Sequence, residues 1–124
     1  MVLDASAVLA LLHAEPGAAQ VAACLPGAAI GAVNLAEVVI VLERNGVPAA
    51  DAWRAVATLA LDVLPADAET AHEAAAVAAA ARRRGLSLGD CFCLATARRA
   101  GWPAVTADRT WATLRGAGQV RVVR

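Results

Sequence analysis

Five short apolar runs, Val2-Leu3, Ala28 to Gly31, Asp62-Val63-Leu64-Pro65, Ala104-Val105-Thr106 and about Val120 to Val123, alternate with stretches of helical character. Strands alternating with helices favour a parallel sheet covered on both faces, because a parallel neighbour is reached only through a right-handed crossover. The first run ends at Asp4, and Ala5 to His13 reads as a helix with Val8, Leu9, Leu11 and Leu12 apolar. Pro16-Gly17 interrupts it before a short helix carrying Val21 and Leu25. Asn34-Leu35-Ala36-Glu37 has the form of a capping box, so a helix is expected over Leu35 to Arg44, ending at Asn45-Gly46. Pro48 suits the first turn of the next helix, to about Leu59. Asp67 caps an alanine-rich helix expected to end in Arg82-Arg83-Arg84 before Gly85, and a further helix runs from about Leu88 to Arg99, stopped by Gly101. A short helix is expected around Trp111.

The length of 124 residues suits one domain spanning 1–124. Hydrophobic residues make up 60% but aromatics only 3%, so the helices are expected to pack closely through small side chains. No uninterrupted apolar run reaches the roughly 18 residues of a membrane span, and Met1-Val2-Leu3-Asp4 lacks the opening of an export signal. Cys24, Cys91 and Cys93 are odd in number and have no zinc-ligand spacing, which fits a reduced compartment, and a cytoplasmic location is expected. Lysine is absent, which excludes Schiff-base and P-loop chemistry. The 11 arginines balance 11 acids, so a broadly basic nucleic-acid coat is excluded and any nucleic acid must be held locally.

In open parallel sheets ligands bind beyond the carboxyl ends of the strands, where the following helices begin. Four acids are expected there: Asp4 and Asp108 after strands, Glu37 and Asp90 in or near the first turns of helices. Each alone has an ordinary reading as a cap, a capping-box member, a dipole partner or a turn residue. Together, carboxylates a few Å apart repel and raise one another's pKa unless a cation joins them. An all-oxygen set without histidine suits Mg²⁺ or Mn²⁺ better than zinc.

Leu3-Asp4-Ala5-Ser6-Ala7, Asn34-Leu35-Ala36-Glu37-Val38, Leu86-Ser87-Leu88-Gly89-Asp90 with Ala95-Thr96-Ala97, and Val105-Thr106-Ala107-Asp108 with Trp111 resemble, in order, the four motif blocks of PIN domains. The resemblance spans nearly the whole chain and is strongest to the VapC-type toxins of toxin–antitoxin pairs. It implies a PIN-like α/β fold, a central mainly parallel sheet with helices on both faces. It also implies a Mg²⁺-dependent, single-strand-specific endoribonuclease whose catalytic and metal residues are Asp4, Glu37, Asp90 and Asp108, supported by the hydroxyls of Ser6 and Thr106. The implied products are a 5′-phosphate and a 3′-hydroxyl, and the implied partners are RNA and a cognate antitoxin. Cys91, Cys93 and Gly89 vary the usual surroundings of the third block without removing its acid. A PIN-fold RNA-processing nuclease without an antitoxin, or a catalytically silent interaction domain, are the other readings; the intact acid set speaks against the last.

Arg82, Arg83, Arg84, Arg98 and Arg99 suit phosphate contacts, but their helix-terminal positions make dipole compensation the stronger reading. Arg109 and Arg115 lie nearer the last acid. His13 and His72 read as surface or packing residues, and Cys24 as core. Cys91 and Cys93, two apart on a helix, are expected on different faces. Val38 to Leu42 is apolar on every side, which implies cover by the chain's own neighbours or by a second subunit; the resemblance favours a homodimer.

Overall fold

A computed structural model describes residues 1–80, 85–114 and 118–124. The central strand β1 (Val2–Leu3) pairs in parallel with β2 (Ala29–Gly31) on one side and β4 (Ala104–Thr106) on the other. Beyond them lie β3 (Asp62–Leu64) and β5 (Val120–Val122), giving a five-stranded, all-parallel sheet in the order β3-β2-β1-β4-β5. Leu3 stands in register with Ile30 and Val105. The chain leaves β1 toward β2 and later returns to β4 on its opposite side. That reversal makes the carboxyl end of β1 the point where an open α/β sheet forms its crevice.

Side chains alternate across a strand, and two apolar clusters result. Leu3, Ile30 and Val105 join a cluster with α1 (Ala5–Leu12), α2 (Ala18–Ala22), α3 (Ala32–Arg44) and α4 (Ala49–Ala57). Val2 and Ala104 join another, with α5 (Ala68–Ala80), α6 (Leu88–Ala100) and Trp111. Both residues of β1 are completely buried, as expected of a strand covered on both faces. Trp111, on a 3-10 helix over Arg109–Thr113, is the largest fully buried side chain. Of the expected caps, Asp67 holds α5 by accepting from the Thr70 amide and hydroxyl, both at 2.8 Å. Gly101 closes α6 at φ 68°, a left-handed conformation that costs glycine little.

One expectation about α3 is corrected. The helix begins at Ala32, with Gly31 as its cap and no side-chain cap, so Asn34 is an interior residue and Asn34-x-x-Glu37 is not a capping box. The cause is the direct junction of β2 and α3: the backbone is helical before Asn34 is reached. Along the apolar segment Val38, Val39 and Leu42 face the core while Ile40 is 47% exposed, so the chain's own described neighbours do not cover that side. Cys91 and Cys93 are free and belong to one buried cluster, since α6 is enclosed round most of its circumference. Cys24 is core, His72 is exposed, and His13 makes only a surface contact to Glu15 at 3.8 Å. The Arg82-Arg83-Arg84 run and Arg115 lie outside the described residues.

Candidate active site

Asp4 follows β1 directly and is 3% exposed. A buried carboxylate persists only when donors replace water, and several do so here. Its Oδ2 accepts from Ser6 Oγ at 2.6 Å, Thr106 Oγ1 at 3.1 Å and the Ser6 amide at 3.3 Å. Its Oδ1 accepts from Asn34 Nδ2 at 3.2 Å. The hydroxyls of Ser6 and Thr106 lie 3.0 Å apart and in turn accept from the amides of Ala107 and Asp108, each at 3.0 Å. A hydroxyl that accepts a backbone N–H is oriented to give its own proton elsewhere, here to Asp4. Ser6 and Thr106 thus knit the end of β1 to the end of β4 through one carboxylate.

The other acids arrive from separate elements. Asp90 is the third residue of α6, where a capping box forms: Ser87 N–H donates to Asp90 Oδ2 at 2.7 Å and the Asp90 amide donates to Ser87 Oγ at 3.1 Å. Asp108 caps the 3-10 helix, its Oδ1 accepting from the Thr110 amide at 2.8 Å. Glu37 lies in the second turn of α3, not the first, and faces the start of α6 so closely that a Cβ on Gly89 would run into its Oε2.

Electrostatics records how near these groups are. Burial raises the Glu37 pKa, and the charges of Asp4 and Asp90 raise it further. Asp90 is also raised, by burial first, opposed by its Ser87 hydrogen bonds and reinforced by Asp4 and Asp108. Beneath them the Cys93 thiol is pushed well up by burial and then by Asp4, Asp90 and Glu37. Among the described residues no Arg or His forms a salt bridge with any of the four acids. Nor do three or more His, Cys, Asp or Glu among them close tightly enough to cage an ion. What the four acids offer chemically is oxygen donors alone, the ligand type that hard divalent cations take.

The PIN domain family model matches residues 1–117. The chain belongs to the PIN-domain family. PIN domains are generally nucleases and typically use divalent metals. The fold of this PIN domain is similar to that in VapBC2 from Rickettsia felis bound to a promoter DNA fragment, with a TM-score of 0.77 at 12% identity, covering 99% of this chain and 98% of that one. A toxin–antitoxin complex from Klebsiella pneumoniae gives a TM-score of 0.75 at 19% identity, covering 99% and 97%. VapBC-5 from Mycobacterium tuberculosis gives 0.64 at 26% identity, covering 99% and 96%. No curated protein matches the sequence. The family match supports a nuclease, and the neighbours show the same fold in toxin–antitoxin complexes.

Sequence reasoning missed Asn34, whose amide bridges Asp4 Oδ1 and the Gly89 carbonyl, the latter at 3.1 Å. It also missed Ser87 as the cap of α6, although Ser-x-x-Asp directly before the helix is a readable signal. Arg98 and Arg99 sit at the opposite end of α6 from Asp90. Arg98 pairs with Glu73 at 2.6 Å, and Arg99 with Asp67 and Glu69, each at 2.6 Å, and with the Thr70 hydroxyl. In this PIN domain they fasten α6 to α5. Arg109, beside Asp108, is exposed.

Proposed function

We propose that this chain is a Mg²⁺- or Mn²⁺-dependent, single-strand-specific endoribonuclease of the VapC toxin type. In this reading residues 1–124 form one PIN-like nuclease domain that works in the cytoplasm as a homodimer, restrained by a cognate antitoxin. The observation that carries it is the gathering of Asp4, Glu37, Asp90 and Asp108 from four segments into one electrostatically coupled group without a compensating cation among the described residues. When bound, a divalent ion supplies a polarised water for in-line attack and offsets charge developing on the phosphate.

The chain's own groups prepare that chemistry. Donors occupy one oxygen of each aspartate: Asp4 Oδ2 by Ser6 and Thr106, Asp90 Oδ2 by Ser87 and Asp108 Oδ1 by Thr110. The second oxygen remains to serve the ion, only that of Asp4 carrying a further donor, from Asn34. A cleft of about 580 Å³ beside Glu37 and Gly89 runs along α3 past Ile40 and Val41 to Arg44. Apolar surface for unstacked bases with an arginine for phosphate suits a single strand. No helix among the described residues is long and apolar enough to cross a membrane. The toxin–antitoxin complexes among the neighbours support an antitoxin partner, and an arginine placed among the acids would satisfy them bidentately.

The test is a substrate panel: one sequence as single-stranded RNA, single-stranded DNA and duplex RNA, incubated with purified protein and Mg²⁺. Cleavage of the single-stranded RNA alone, leaving 5′-phosphate ends, is expected. Equal cleavage of the DNA would overturn the ribonuclease assignment.

A further inference from the structure

Asn34 is completely buried in α3, and its amide serves two other segments at once. Nδ2 donates to Asp4 Oδ1 at 3.2 Å, after β1, and to the Gly89 carbonyl at 3.1 Å, in the first turn of α6. Both partners are acceptors, so the nitrogen must face them and Oδ1 is turned away, where it meets no hydrogen-bond partner among the described residues. A buried, unpaired amide oxygen costs stability. Leucine has nearly the same shape and would avoid that cost, but it would leave Asp4 Oδ1 without this donor, so what calls for an asparagine here is the acid it serves and not packing.

Gly89 presents the same conflict. It lies inside α6, where glycine is a poorer helix former than alanine, and no left-handed φ requires it. What a side chain would disturb is Glu37, whose carboxylate occupies the space where a Cβ would sit. Asn34 and Gly89 are thus linked to each other by a hydrogen bond, and each is linked to a different acid.

We propose that Asn34 and Gly89 form a positioning brace for the acid cluster: the Asn34 amide fixes the Asp4 oxygen that Ser6 and Thr106 leave free, and the missing Gly89 side chain gives Glu37 its place. The proposal rests on the metal-site reading above. Groups that orient a metal's ligands govern affinity nearly as strongly as the ligands do, typically by about 10–100-fold.

The test measures Mn²⁺ affinity of the whole chain by electron paramagnetic resonance of the unbound ion, alongside the melting temperature in EDTA. Asn34→Leu and Gly89→Ala are each expected to weaken Mn²⁺ binding by about 10–100-fold. Gly89→Ala is expected to hold or raise the EDTA melting temperature because alanine favours the helix, separating positioning from folding. Thr70→Val, a buried polar change in α5 where it meets Arg99 at the far end of α6, is expected to lower the melting temperature without moving the Mn²⁺ affinity. Folded Gly89→Ala with wild-type affinity, while Asp4→Asn loses the ion, would overturn the brace alone, whatever Asn34→Leu does. Unchanged affinity in Asp4→Asn would overturn the metal-site reading and the brace with it.

Discussion

The two ends of α6 hold acids in opposite circumstances. At its start Asp90 stands with Glu37, Asp4 and Asp108, and the pKa values of Asp90 and Glu37 are raised. At its finish Asp67, Glu69 and Glu73 meet Arg98 and Arg99, and the Asp67 carboxyl falls to about 2, through its hydrogen bonds from Thr70 and then from Arg99. Both ends obey the helix dipole, acid at the amino end and arginine at the carboxyl end. The difference is the partner. One end completes its charge within the chain and serves the fold; the other, among the described residues, leaves charge uncompensated, as a site for a cation does.

The largest expected contrast is in activity and metal response. Asp90→Asn keeps an acceptor for the Ser87 amide but removes a charge from the open end. It should lose RNA cleavage by several orders of magnitude and most of the rise in melting temperature that Mn²⁺ gives the native protein. Arg99→Gln at the closed end should lower the melting temperature slightly, since its ion pairs are partly exposed, and leave cleavage intact. Equal loss of cleavage in both variants would erase the distinction.

A smaller effect sharpens the comparison through its sign. In metal-free protein Glu37→Gln should raise stability by removing a charge that burial first, and the charges of Asp4 and Asp90 next, make unfavourable, while Asp67→Asn should lower it. The pH dependence follows from linkage. For Glu37 and Asp90, whose folded pKa values lie above the unfolded ones, the destabilisation present at neutral pH is relieved as pH falls through the raised values. For Asp67 the stabilisation is present above its unfolded pKa of 3.8 and is lost as pH falls toward about 2. Urea midpoints measured against pH in EDTA should therefore lose Glu37's share of the upper effect in Glu37→Gln, leaving that of Asp90, and the lower effect in Asp67→Asn. Identical profiles in the two variants would contradict the assignment.

Much of this was legible because local chemistry decided it. Asp67 and Gly101 act as the expected caps, and Asp4 and Asp108 stand just beyond β1 and β4, where short apolar runs end. Asn34 misled because a local pattern competed with a junction: β2 flows into α3 at Gly31, so the helix starts early and carries Asn34 inside. There its partners are Asp4, 30 residues away, and Gly89, 55 away, separations invisible to spacing rules. Arg98 and Arg99 show the same limit: the dipole explains their position in α6, but only the packing of α5 beside it reveals Glu73, Asp67 and Glu69 as their partners. Ile40 is exposed because α3 packs only one side on the sheet, which an apolar run does not specify.

The most direct test of the central claim is cleavage of a single-stranded RNA by native protein, Asp4→Asn and Asp108→Asn in Mg²⁺, Mn²⁺, Ca²⁺ and EDTA, with circular dichroism on each protein. Native protein should cut in Mg²⁺ and Mn²⁺, poorly in Ca²⁺, whose longer and looser coordination suits attack less well, and not in EDTA. Both variants should keep the native spectrum and lose cleavage. Undiminished cleavage in EDTA, or by well-folded Asp108→Asn, would contradict the assignment of these acids to a metal-dependent nuclease.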